Sequence, residues 1–126
     1  MKLKHLLHST IKISGFSVLA LFSFNVSAKS LKQATAHDYV TERYYLGLDS
    51  NRAIEEKMTR ARLRGDEREQ IRVLCVDIRK YYQDVIALNQ ANRHFNPKKI
   101  DAETKEYRAL LKGLDKENVC KDLGFY

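Results

Sequence analysis

The side chains that could do chemistry in this sequence are few. They are a single pair of cysteines, two isolated histidines and a run of arginines around a glycine. Cys75 and Cys120 are the only cysteines, so their pairing has one possible connectivity. Closing the loop of about 46 residues between them would stabilise a small fold by roughly 4 kcal/mol in the chain-entropy model. A paired cysteine is not a nucleophile. Ser30 and Ser50 stand where serine caps a helix, and neither has a sequence neighbour that would serve as its base. His37 and His94 are far apart, and no HxxxH, HExxH or CxxC spacing is present. The sequence therefore points to no metal shell, no catalytic residue and no cofactor. The five glycines are scattered rather than gathered into a phosphate loop.

Two further patterns carry charge. Asp77 and Asp84 lie seven residues apart with Tyr81 between them, so on a helix they share a face about 10 Å apart. That is wide for acid–base work, though workable across a cleft; salt bridging with Arg79 and Lys80 is the simpler account. The sharper pattern is Lys57, Arg60, Arg62, Arg64, Arg68 and Arg72, around Gly65. Arginine predominates there, and its planar fork suits carboxylates and phosphates. Glu55, Glu56, Asp66, Glu67 and Glu69 are interleaved and can pair part of that charge internally. Seven tyrosines and no tryptophan supply the aromatic surface. Tyr45 and Tyr81 fall beside the apolar stripes rather than in them. They join Arg60, Arg62, Arg64, Arg68 and Arg72 as the candidate contact residues, since Tyr and Arg dominate protein interfaces.

The elements that must position these residues read as helices. Lys2, Lys4 and Lys12 precede an apolar run, Ile13 to Val26, and Val26-Ser27-Ala28 offers small residues for cleavage. Residues 1–28 thus read as a secretory signal peptide, too short in its apolar part to span a membrane. The whole-chain charge of +7 falls to +4 once those three lysines leave. Residues 29–126 then form a single helical domain, small enough to profit from a disulfide.

Ser30 with Gln33 resembles a capping box opening a helix from about Leu31 to Leu46, with Ala36, Val40 and Tyr44 as its stripe. Gly47 and Asp49-Ser50-Asn51 read as a break. A second helix follows to Arg64, with Ile54, Met58 and Ala61 inward. Gly65 stops it, and Asp66 with Glu69 opens the longest helix, to about Asn92. Its stripe is Ile71, Leu74, Cys75, Ile78, Tyr82, Val85 and Leu88. Pro97 ends that helix, Asp101 caps a fourth that closes at Gly113, and a short turn carries Cys120. No strand finds a partner. The fold class is all-α, a small irregular four-helix bundle with one disulfide, its third and fourth helices antiparallel neighbours.

This pattern leads to a small exported, periplasmic, non-enzymatic protein that binds another envelope or secreted protein, possibly an acidic one. Its type is an inhibitor, an immunity factor or a chaperone-like binder, by analogy of class. The alternative is a small enzyme whose arginines hold an anionic metabolite, with Asp77, Asp84 or Tyr81 assisting; it requires Arg68 or Arg72 to face an internal cavity. Binding to nucleic acid, the less favoured reading, or to anionic membrane would fall steeply with salt. Membrane attachment otherwise rests on an uncleaved signal.

Overall fold

The structure, a computed structural model, describes residues 33–116 and 118–126. The expected signal peptide and Ser30 lie outside them. Helix α1 spans Ala36–Leu63, α2 Glu67–Arg72, a π-helical segment Val73–Ile78 and α3 Arg79–Ala91. A 3-10 turn, Arg93–Phe95, leads to α4, Pro97–Asp115, and α5 is Val119–Asp122. The backbone stays right-handed helical through Arg72, Val73, Ile78 and Arg79, so α2, the π segment and α3 form one rod. There are thus four helical bodies and no strand among the described residues. The all-helical class is as the sequence leads one to expect, but the expected first two helices are one and the fourth body is the short turn that carries Cys120.

The helix termini follow local chemistry. Thr35 caps α1 in a full capping box with Asp38. Gly65, at φ +64°, sits just past the end of α1. Its N–H meets the Arg62 carbonyl at 3.0 Å, and the Asp66 N–H meets that of Ala61 at 2.9 Å. This is a Schellman motif, whose left-handed residue is cheapest as glycine. Asp66 accepts from the Glu69 N–H, which is half of the expected box; the Glu69 carboxylate turns instead to Arg72. The same end motif recurs at Gly124, where the Phe125 N–H meets the Cys120 carbonyl at 2.9 Å.

Four boundaries differ from expectation. Helix α1 begins at Ala36 behind the Thr35 cap, later than the expected Leu31, and residues 33–35 are not helical. The break at Gly47 and Asp49-Ser50-Asn51 does not occur: α1 runs through it for 28 residues. A Cβ at Gly47 would stand 3.5 Å from the Tyr81 hydroxyl, so that glycine marks close packing against the rod. Asp101 does not cap α4. Asn96 does, with Pro97 at the first position, where its missing N–H costs nothing. Asp101 instead receives a two-pronged bond from Arg93, both prongs 2.7 Å. Gly113 does not close α4, which continues to Asp115.

The stripe of α1 is rotated, and on the rod one residue of the expected seven turns out. Ala36, Val40 and Tyr44 face out, while Tyr39, Arg43, Leu46, Ile54, Lys57 and Ala61 are the covered or half-covered face of α1. On the rod the π segment adds residues per turn and shifts the register. Val73 is fully buried, whereas Leu74, expected inside, is 39% exposed.

The rod is the axis. Pairs at Tyr39–Asn89 and Lys57–Asp77 show α1 running antiparallel to it. Pairs at Asn89–Thr104 and Tyr81–Tyr107 show α4 doing the same. The apolar core is thin: Tyr39, Leu88 and Ile100 with Leu46 and Phe95 against them, then Val73, Val85 and Ala61. Cys75 and Cys120 are joined, their Cα atoms 5.5 Å apart, which fastens α5 to the rod.

Candidate functional site

The turn between α1 and α2 brings the basic residues to one end of the helical hairpin. Arg60, Arg62, Arg64 and Arg68 are exposed there. Among them stands Leu63, 83% exposed, an apolar residue that the sequence reading passed over. Arg60 reaches only Glu56, at 3.9 Å between two well-solvated side chains, a contact worth little. Arg62 makes no ion pair among the described residues. Arg68 lies over the Phe125 ring, 5.2 Å to its centre, so the C-terminal turn flanks the corner.

Arg72 does not belong to this surface. Its guanidinium grips Glu69 twice, at 2.8 and 2.6 Å, and lies 3.4 Å from Asp77. Those hydrogen bonds hold the Glu69 carboxyl below the usual range. Asp77 in turn takes Lys57 at 2.6 Å. Two of the six cations singled out are therefore spent inside the hairpin, and four point outward.

The tyrosines divide likewise. Tyr45 is 53% exposed and edge-on to Tyr44. It stands five turns before Leu63 on the same side of α1, about 27 Å away at helical rise. Tyr81, expected as an exposed contact, is half-buried, with its hydroxyl 3.2 Å from that of Tyr107. Tyr81, Tyr82 and Tyr107 pack ring against ring at 5.5–5.9 Å between centroids. α1 comes close at Gly47, where a Cβ would stand 3.5 Å from the Tyr81 hydroxyl, so Tyr81 is only partly open to solvent.

A polar network through the centre of the molecule had no signal in the periodicity. The Tyr39 hydroxyl donates to Asn89 Oδ1 at 2.8 Å; Asn89 Nδ2 donates to Glu103 at 2.8 Å and to Thr104 at 3.3 Å. Arg43 donates to Glu103 at 2.7 Å and to the Tyr107 hydroxyl at 3.0 Å. Burial would raise the Glu103 carboxyl, but the bonds from Arg43 and Asn89 outweigh it and hold it low. For Arg43 burial works against the charge and Glu103 overcomes it, so its pKa is raised. Burial and then the bond to Tyr81 push the Tyr107 phenol up to about 12, against the pull of Arg43. Only the pairing of a charge on α1 with one on α4 could have betrayed this network, and nothing in spacing along one chain shows that.

Asp77, Tyr81 and Asp84 do line one groove of about 200 Å³, together with Ser50, Lys57 and Lys80. Lys57 holds Asp77 and Lys80 holds Asp84, so both carboxylates are paired. Arg68 and Arg72 line neither this groove nor the cleft described below. Among the described residues no group of three or more His, Cys, Asp or Glu side chains could hold a metal ion. No helix there is long and apolar enough to cross a membrane. No family model, curated protein or solved structure matches the chain.

Proposed function

We propose that this is a small exported, periplasmic, non-enzymatic protein that captures another envelope or secreted protein through the end of its α1–α2 hairpin. The observation that carries this reading is that Leu63, Arg60, Arg62, Arg64 and Arg68 are all exposed at the one end of the hairpin. Arginine is enriched at interface hot spots, and the exposed leucine adds apolar area to bury, with the arginines selecting a partner that is acidic around an apolar recess. Arg72 and Tyr81 play no part in this contact, and Tyr45 stands too far along α1 to share a small footprint with Leu63. The partner is of the kind met by an inhibitor, an immunity factor or a chaperone-like binder. The disulfide and the basic, apolar start of the sequence support an oxidising compartment.

Affinity capture from envelope fractions tests the reading. A partner retained by the native protein should be lost when Arg60, Arg64 and Arg68 are changed together to Glu, or when Leu63→Ser is made, with helicity unchanged in both. Retention of the same partner by both variants would remove the hairpin end as the contact.

A further inference from the structure

A second surface, remote from the hairpin end, has the form of a small-molecule site. Between the N-terminal half of α1 and the start of α4 lies a cleft of about 470 Å³. That is within the range of about 300–1,000 Å³ usual for such sites. Its walls are apolar: Tyr39 and Phe95, whose rings stack at 6.2 Å, and Ile100, with Val40 at the lip. Tyr39 and Ile100 are buried beneath, while Val40 is 62% exposed, so a hydrophobic lining opens to solvent.

The charges on this lining are three. Arg43 and Glu103 neutralise each other at 2.7 Å. The Tyr39 hydroxyl is already occupied by Asn89. What remains is Lys99, exposed at the rim, with no ion pair within 4 Å among the described residues, its charge acting at longer range on Glu103. The lining therefore carries one net positive charge beside an apolar trough.

We propose that this cleft binds a small monoanionic amphiphile, a carboxylate with an apolar chain, its tail against Tyr39, Phe95 and Ile100 and its head on Lys99. Charge decides the class. An anion meets Lys99 without facing an uncompensated Glu103, whereas a cationic amphiphile of the same tail meets an unpaired lysine. The site is independent of the hairpin end, since Val40 and Leu63 stand 23 residues apart on one straight helix, roughly 35 Å.

The test is an NMR titration of the 15N-labelled protein with decanoate, below its micelle concentration, and with decyltrimethylammonium as the charge-reversed control. Decanoate should saturate, with shifts gathered on Ala36, Val40, Phe95, Lys99 and Ile100, and the control should bind more weakly. Lys99→Gln should weaken decanoate about two- to fivefold, the worth of one exposed ion pair. Val40→Glu, a change at an exposed lip position that leaves the core intact, should abolish it. The Arg60, Arg64 and Arg68 triple variant should bind decanoate as the native protein does, so that the failure of either proposal is read separately. No saturation, shifts gathered at the hairpin end, equal binding of the two amphiphiles, or unchanged affinity in both cleft variants would each overturn the assignment.

Discussion

Asn89 is the residue on which most converges. It is fully buried and serves Tyr39, Glu103 and Thr104 at once, joining all three long helical bodies. Removing it strands a buried hydroxyl and half-strands a carboxylate, and an unmade buried bond costs more than a made one contributes. Asn89→Ala should therefore lower stability by about 2–3 kcal/mol in urea unfolding. The ionisable members of the network set a pH window. Glu103 is held below its ordinary value of 4.5, so its contribution is present above that pH and disappears as pH falls through the lowered value. Tyr107 is raised from 10.0 to about 12, so the unfolded chain ionises first, and stability is lost as pH climbs between those values. Urea midpoints measured from pH 3 to pH 12 should fall at both ends. Glu103→Gln should flatten the acid limb and Tyr107→Phe the alkaline one.

At the scale of elements, glycine shows how one residue type can carry opposite messages. Gly65 ends α1 because its backbone is left-handed. Gly47 lies within α1, where a Cβ would still be at ordinary contact distance from Tyr81. A Cβ there would meet the end of Arg43 at 3.4 Å, an ordinary contact distance. Gly47→Ala should thus raise stability by up to about 1 kcal/mol through helix propensity, whereas Gly65→Ala should lower it by about 1–2 kcal/mol. Thermal unfolding followed by circular dichroism reads both. The C-terminal turn depends on its crosslink. α5 is four residues long, and its flanking contacts are Arg68 over Phe125, Arg79 over Tyr126 and the Tyr126 hydroxyl bond to Asp115. Paired Cys75→Ser and Cys120→Ser changes should lower stability by up to about 4 kcal/mol. They should also release α5, seen as faster amide exchange from Val119 onward, with the long helices retained.

For the whole molecule, the charge balance separates the readings of function. A protein partner docked on Leu63 and a few arginines keeps much of its affinity as salt rises, because apolar contact and short-range bonds remain. Polyanion binding falls linearly in a log–log plot with several counterions released. Captured partner should therefore resist 0.5 M salt far better than any nucleic acid retained by the same arginines, by elution in a salt series. Much of this architecture was legible beforehand. The 3.6-residue period of the rod, the stop at Gly65, the proline that separates the rod from α4 by opening the latter and the lone cysteine pair are local or compositional signals, and local chemistry settles them. The sequence by itself determined an all-helical chain, the end of the hairpin where the arginines gather, and the one crosslink available to it. Only tertiary packing decided that α1 runs unbroken, that its apolar flank at Val40 and Tyr44 faces out, and that Tyr81 turns inward; Arg72 is held locally, by Glu69 and Asp77 of its own rod. The packed outcomes depend on partners 26 to 64 residues away, such as Asn89, Glu103 and Tyr107, whose bonds outweigh a weak preference for a break or for burying a stripe. A periodicity along one helix carries no record of the helix that will lie across from it.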